Sequence, residues 1–486
     1  MSAEDIRSER LKKLAILKER GIDPYPAESF RTHENALFLK SYESLASSQE
    51  KVTLAGRIMS QRDQGGIIFV DLFDGTERVQ ALIKKDDIGE ESFDLFLETV
   101  SVSDFIEVLG VAFTTKRGMN SLLASSWRML AKSLNQVPDE WFGLKDEDER
   151  YRKRYLDMLL DPEVANLAKK RSIFWNTIRL FMLKRGFIEV ETPILETKTG
   201  GAEARPFVTR HNALDMDVYL RISHELWHKK LIVGGLPKVF EIGRVFRNEG
   251  MSFEHAQDYT HFEFYEAYQD ARQGIPMLID LYRTVAQETF GTLKFQIGKH
   301  EVDLGVEWEQ IDYNKCIQDK YGFDPRDVDQ SAGAGRKLLK KHIPDYEGDI
   351  TETGRAVDFL WKQVRRTISG PAILTGIPVY LEPLAKKNKD DQRVVDRFQI
   401  ILAGSEIGKA FNELNDPIDQ RERFEKQQAL RDAGDEEAQM IDLEYIEAME
   451  YGMPPIFGFG FSERLFSFLV GKSIRESQLF PLMKPK

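Results

Sequence analysis

Arg247, Asn248, Glu249 and His255 fall in one short stretch, VFRNEGMSFEH, and together offer a planar guanidinium fork with further polar groups close by. Such a set suits the oxygens of a polyphosphate. Val239, Phe240, Ile242, Val245 and Phe246 precede it, and Tyr259, Phe262, Phe264 and Tyr265 follow. These are β-formers, so two antiparallel strands joined by a long charged loop are expected over Val239 to Tyr268. Glu241, Arg244, Arg247, Glu263 and Glu266 stand within the arms, where an ordinary sheet face would be apolar. Charges inside a strand pair need partners. A solvated hairpin tip is the competing reading of the same residues.

A second constellation is Arg62, Phe69 and Gln80: a cation, a stacking ring and an amide, the trio a single-stranded base requires. It lies in a region of short strands separated by turns, VTLAGRIMSQ, GGIIFVDLFDG, ERVQALI, DFIEVLGVAFTT and SLLASSWRML. Five such strands broken by Gly-Gly, Asp-Gly and Arg-Gly predict a small closed barrel, the oligonucleotide-binding fold being the commonest of that size. Phe69 alternates with Val70 and fits a barrel core equally well.

The elements that must position these groups follow in order. Ile6, Leu11, Leu14 and Leu17 at helical intervals predict a surface amphipathic helix over 3–20, stopped by Gly21 and Pro24. The charge run of 136–160 reads as a hinge entering a helix, and a long helix is expected over 162–185, ended by Gly186. FIEVETPIL is expected as a strand closed by proline. Residues 272–295 read as an amphipathic helix and 324–369 as polar and helical, with Ser331 to Arg336 a loop before a helix rather than a phosphate loop. RFQIILAGSEIGKAFNELND is expected as one strand, and GFGFSERL as a glycine-rich strand entering a helix that carries Arg464.

At 486 residues the chain should hold two or three domains. Its 42% hydrophobic and 30% charged residues describe a globular protein, and a single cysteine, Cys316, excludes an internal disulfide and a cysteine-built zinc site. There is no apolar run of membrane-spanning length, and MSAEDIRSERLKK is charged throughout, so a cytoplasmic setting and no membrane partner are expected. The net charge of −12 gives no support for nucleic acid, although the local cluster Arg150, Arg152, Lys153, Arg154 can act within an acidic total.

RYRKRYLD, TGGAEARPFVTRHNALD, FEIGRVFRNEG, EIGKAFNELND and GFGFSERL, in this order and spacing, closely resemble the bacterial-type class II lysyl-tRNA synthetases, over essentially the whole chain. The resemblance implies an α+β protein: a helical extension over 1–50, an OB-fold anticodon-binding barrel over 51–136, a linker or hinge over 137–160, and a class II antiparallel sheet flanked by helices over 161–486, with a helical insertion near 324–369. FMLKRGFIEVETPIL looks like the family's dimer-forming motif, which implies a homodimer. The implied activity is lysine–tRNA ligation from ATP, with Mg²⁺, lysine and tRNA(Lys) as cofactor and partners. A class II ligase for another amino acid or acceptor, and a non-catalytic tRNA-binding descendant, are the alternatives.

Residue by residue, Arg247 matches the family arginine that clamps the α-phosphate and the amino-acid carboxylate, Glu249 the reader of the adenine amino group, His255 a residue near the terminal phosphates, Tyr259 the ring beneath adenine and Arg464 the cation above it. Glu413 and Tyr265 match positions at the lysine ammonium, Phe411 the one along its methylene stem, and Gly201, Glu225 and Glu263 those at the α-amino end. A role of Glu413 in solubility fits poorly, since it sits amid Ile407, Ala410, Phe411 and Leu414. Arg62, Phe69 and Gln80 match positions that hold the middle anticodon uridine. The chain departs from the family pattern at Gln399, which replaces a metal-binding glutamate beside the retained Glu406, and at Lys409-Ala410, which replace Asn-Gly; Lys409 either holds the substrate carboxylate or points away. Ser223-His224-Glu225 stands for Ala-Pro-Glu, and Glu463 for an aspartate.

Overall fold

A computed structural model describes every residue except 1, 139–143, 251, 349, 351 and 435–436; residues 139–143 of the expected hinge therefore lie outside the described residues. The chain forms two compact units, Met1–Asp146 and Glu147–Lys486.

The first unit opens with α1 (Ala3–Glu19), α2 (Asn35–Lys40) and α3 (Tyr42–Ser48). Then come β1 (Val52–Asp63), β2 (Ile67–Phe73), β3 (Arg78–Lys84), α4 (Lys85–Ile88), α5 (Glu90–Thr99), β4 (Phe105–Thr114) and β5 (Asn120–Ala131). The five strands close into a barrel in the order β1-β2-β3-β5-β4. Alternation decides the faces: Ile68, Val70 and Leu72 point inward from β2 and are fully buried, whereas Phe69 between them is only half-buried. α1 begins with a capping box between Ser2 and Asp5. It packs on its own unit, with Leu17 joining Phe38, Tyr42, Leu45 and the barrel interior in one core. Burying one such leucine contributes about 2 kcal/mol.

The second unit begins with α6 (Glu147–Arg152), α7 (Arg154–Leu160) and α8 (Pro162–Leu183). From residue 147 the expected hinge is thus helical and part of the second unit. Arg154 explains this: it is buried, pairs with Asp157 at 2.8 Å and donates to the carbonyls of Glu476, Gln478 and Leu479. The strands β6 (Ile188–Glu189) and β7 (Leu195–Glu196) replace the single strand expected over FIEVETPIL, because Pro193 between them has no amide hydrogen for a ladder. Next are β8 (Val208–His211), β9 (Met216–Leu220), α9 (Glu225–Val233), β10 (Lys238–Phe246) and β11 (Asp258–Ala267). β10 and β11 are the expected hairpin, paired from Lys238↔Glu266 to Phe246↔Asp258.

α10 (Ala271–Phe290) is shorter than the expected 272–295, since Gly291 adopts a left-handed conformation (φ 71°) and ends it. After β12 (Lys294–Ile297), β13 (His300–Asp303), β14 (Glu309–Asp312) and α11 (Tyr313–Tyr321), the 324–369 region holds α12 (Ala334–His342) and α13 (Thr353–Arg365). α12 already includes Ala334 to Arg336, part of the expected loop, because Gly335 lets the helix press against the backbone of Glu352. β15 (Ala372–Thr375) follows, and then β16 (Arg397–Leu402) and β17 (Ser405–Asn412), two strands where one was expected. Ala403 and Gly404 both take positive φ, 48° and 75°, and turn the chain back. α14 (Pro417–Asp432), α15 (Leu443–Glu450), β18 (Ile456–Ser462), α16 (Arg464–Leu469) and α17 (Ile474–Ser477) complete the chain.

Eight strands build the main sheet, in the order β14-β15-β16-β17-β18-β11-β10-β6. It is antiparallel through its centre and parallel at both edges, β14 with β15 and β6 with β10. β18 shows how one strand serves two faces. Phe457, Phe459 and Phe461 enter the core formed with α8 and α10, while Gly458 and Gly460 face a large cavity on the opposite side. Among the described residues no helix is long and apolar enough to cross a membrane.

Candidate active site

The cavity, about 780 Å³, lies over the centre of the sheet and is lined by β11, β17 and β18 with the loops around Gly201, Ser223 and Glu382. Gly201, Glu225, Arg247, Tyr259, Glu263, Tyr265, Gln399, Glu406, Lys409, Phe411 and Arg464 all reach it. These come from distant parts of the sequence and are brought together because neighbouring strands expose every second side chain to one face.

At one end stand the cations. Arg247 reaches back to donate to the carbonyl of Ile222 at 3.3 Å and lies over the Tyr259 ring, 5.8 Å from its centre. Arg464 lies nearly buried 3.6 Å from Glu254, and burial lowers its pKa. Burial raises the Tyr259 hydroxyl and the Glu249 carboxyl, in both cases against the pull of Arg247 and Arg464. Glu249 and His255 do not line the cavity; they flank these arginines, and His255 accepts or donates a 2.7 Å hydrogen bond with Ser252 through Nδ1. Glu406, at the same end, accepts from Trp361 Nε1 and Gln399 Nε2, both at 2.8 Å, with Arg365 3.6 Å away. Burial opposes its charge, yet Arg365 and Arg397 keep its pKa below the ordinary value. A magnesium ion is satisfied by one carboxylate, an amide oxygen and phosphate oxygens, so the pair Glu406 and Gln399 fits that ion.

At the other end the acids are paired within the protein. Lys229 on α9 is fully buried and bonds Glu225 at 2.5 Å and Glu413 on its other side. Its ammonium lies 5.6 Å from the Phe411 ring centre and 5.9 Å from that of Tyr265. Burial opposes its charge, but the two carboxylates more than compensate and raise its pKa. One cation thus faces two acids. Burial, set against Lys229, leaves both carboxyl pKa values raised. Glu413 does not itself line the cavity; it lies against Gly458 on the cavity side of β18, where a Cβ would collide with Glu413 and Tyr265. Lys229 was missed by sequence reasoning, although Glu225 and Lys229 are spaced i, i+4 on a helix, a readable pairing signal.

Glu263 lies between these ends. Ser223 Oγ donates to it at 2.9 Å and the Tyr265 hydroxyl at 3.2 Å. Burial works against its charge, but the imidazoles of His224 and His261 hold it well below the ordinary carboxylate range. Next to it Glu241 accepts from Arg221 at 2.6 Å and from Thr192 at 2.7 Å. Gly243 makes room for this network, since a Cβ there would meet Glu241 and His224, both at 2.9 Å. The charges within the hairpin therefore have partners. Lys409 keeps its ammonium 2.9 Å from Glu382, and its side chain remains half-exposed.

On the barrel, Arg62 and Phe69 are directly paired across β1 and β2, with the guanidinium 5.9 Å from the ring centre. Both are accessible to solvent. Gln80 is buried and meets Ser121 at 3.4 Å, so only its neighbours on this face stand free.

Residues 146–484 match the family model described as tRNA synthetases class II (D, K and N), and residues 52–130 match the OB-fold nucleic acid binding domain. The chain is 40% identical to the lysine–tRNA ligase of Thermosipho melanesiensis over 99% of this chain and 96% of that protein. It is 41% identical to that of Halalkalibacterium halodurans, over 100% and 98%, and 40% to that of Bacillus subtilis, over 98% and 97%. Full-length identity at this level, together with both domain matches, means that the chain belongs to the lysine–tRNA ligase family of class II aminoacyl-tRNA synthetases.

Proposed function

We infer that the protein activates lysine with ATP to lysyl-adenylate and transfers the lysyl group to the 3′ end of tRNA(Lys). The observation that carries this reading is the charge imbalance at the acidic end of the cavity: Glu225 and Glu413 share the single cation Lys229. An arriving side-chain ammonium supplies the missing positive charge, and without it one acid must hold a proton. Phe411 then flanks the methylene stem and Tyr265 stands at the ammonium; Glu225, expected at the α-amino end, instead shares Lys229 with Glu413, so that Glu263 receives the α-ammonium beside Gly201.

The chemistry is positioning and charge neutralisation. The lysine carboxylate attacks the α-phosphorus, a P–O bond breaks and pyrophosphate leaves; the carboxylate is already ionised and no general base is needed. Arg247 spans the carboxylate and the α-phosphate, Tyr259 and Arg464 hold the adenine between them, Glu249 reads its amino group, and His255 stands by the terminal phosphates. Glu406 and Gln399 would hold Mg²⁺, which neutralises phosphate charge when bound. In the second step a terminal ribose hydroxyl attacks the carbonyl carbon and AMP leaves.

The barrel, residues 51–136, takes the anticodon, with Phe69 stacking on a base and Arg62 holding its edge or backbone, while Gln80, buried against Ser121, supports the face from within. The 1–50 helices support that barrel, and the catalytic domain runs from 147, earlier than the expected 161, with its insertion at 324–369. The enzyme works as a homodimer in the cytoplasm. Lys409, held by Glu382, serves the cavity rim and not the substrate carboxylate. Amino-acid-dependent ATP–pyrophosphate exchange across all twenty amino acids tests the reading: lysine alone should support strong exchange, and stronger exchange with aspartate would overturn it.

A further inference from the structure

The imidazoles around Glu263 have no task in the reaction proposed above. His224, the residue before α9, is fully buried, and neither of its ring nitrogens has a hydrogen-bond partner. His261 on β11 reaches the cavity, and its Nδ1 is likewise buried without a hydrogen bond although it lies 2.9 Å from a Glu263 oxygen. His224 Nδ1 lies 3.7 Å from that same oxygen. One donor atom from each of His224, His261 and Glu263 falls within 4.8 Å of the other two. Three donor atoms thus converge on one point, with His261 and Glu263 at ion-pair distance, and a common acceptor would take the place of a proton between them.

We propose that His224, His261 and Glu263 form a binding site for a divalent transition-metal ion of the zinc class, distinct from the magnesium position at Glu406. Two imidazoles and one carboxylate are a common protein donor set for zinc, with the fourth position left to the open side, here the cavity. Hard oxygen-seeking ions such as magnesium disfavour this nitrogen-rich set. The surroundings are built for it. The far nitrogen of His224, Nε2, faces Glu241 at 3.6 Å, and Glu241 is itself fixed by Arg221 and Thr192. A carboxylate behind a ligating histidine orients the ring and strengthens its donation. Ser223 and Tyr265 secure Glu263 in the same way. Gly243 leaves room for the same arrangement, since a Cβ there would crowd Arg221, Glu241 and His224 together.

A dication on Glu263 excludes a substrate ammonium from the same carboxylate, so the bound metal inhibits lysine activation. That consequence rests on the function proposed above; the site itself does not. The test uses the full untagged chain, stripped of metal, titrated with Zn²⁺ against a chromogenic chelator and with Co²⁺ followed by its visible absorption. One ion per chain and an intense four-coordinate Co²⁺ spectrum are expected. His261→Asn and His224→Gln should each weaken binding at least about tenfold, and Glu241→Gln about tenfold through the orientation of His224. His300→Asn, on the β12–β13 hairpin with Ser369 as its partner, leaves the three donors and Glu241 intact and should bind normally, reporting on folding. Loss of binding in that control as well, unchanged affinity in both ligand variants, or no bound ion at all overturns the site. In the same samples Zn²⁺ should inhibit pyrophosphate exchange competitively with lysine, and His261→Asn should relieve the inhibition. Tight binding without lysine-dependent exchange would instead count against the proposed function alone.

Discussion

The two ends of the cavity treat charge in opposite ways. At the acidic end Glu225 and Glu413 are buried and share the single cation Lys229, so the geometry of the pocket is set while one charge stays unmatched. At the basic end Arg247 has one long contact to a carbonyl and Arg464 sits 3.6 Å from a glutamate, an arrangement that holds their place without using up their donors. Selectivity among small ammonium side chains demands a fixed geometry, whereas neutralising a charge that moves between two phosphates demands donors still free to turn. On the function proposed above, the contrast separates recognition from catalysis within one cavity.

The largest effect that would break this contrast lies at the basic end. Arg247→Ala should lower the rate of lysine-dependent pyrophosphate exchange about a hundred- to a thousandfold, with little change in melting temperature, because the group acts mainly on developing charge. A variant that melts early with normal exchange would show that Arg247 is structural. At the acidic end Glu413→Gln should do the reverse: about a tenfold or larger rise in the lysine KM, an unaltered ATP KM, and a loss of stability approaching 3 kcal/mol as Lys229 loses one partner. Steady-state exchange and chemical denaturation measure both. Equal losses for lysine and ATP would erase the distinction between the ends.

The barrel offers an external control. Phe69→Ala removes a half-exposed stacking ring and should lower aminoacylation of tRNA about tenfold while exchange stays at the wild-type rate. The smallest effect concerns Glu196, outside both ends, whose carboxyl is pushed up to about 7 by burial against a single hydrogen bond from Trp227 at 2.7 Å. The folded state binds this proton more tightly than the unfolded chain, so stability should fall as pH rises from about 4.5 to about 7. Glu196→Gln should flatten that slope and raise the melting temperature at pH 8 by a few degrees, with no gain at pH 4. A parallel shift at both pH values would place the effect elsewhere.

Arg247, Tyr259 and Glu263 were legible in the sequence because they occupy one contiguous hairpin whose alternation can be counted. The barrel was legible for the same reason, each strand being bounded by its own turn residues. Lys229 was not, since its meaning depends on Glu413 from the far part of the chain, and only the pairing of β17 with β18 brings that residue beside the pocket. The His224 and His261 pair escaped notice likewise: one precedes a helix, the other lies in a strand, and Gly243 gave no hint of the space it leaves. The turn at Ala403 and Gly404 was hidden by apolar residues on both sides, which read as one uninterrupted strand.

The phenylalanine and glycine alternation of β18 has a consequence for how finely the pocket can measure. Where Gly458 and Gly460 face the cavity, its floor is peptide backbone, pinned from below by Phe457, Phe459 and Phe461. Side-chain walls hop among rotamers and blur their own position, but a floor without side chains has no such freedom. It acts as the fixed jaw of a caliper. A ligand one methylene too short would leave a gap that nothing in the strand can swing over to fill, and the shortfall would be felt in full at the acids beside it.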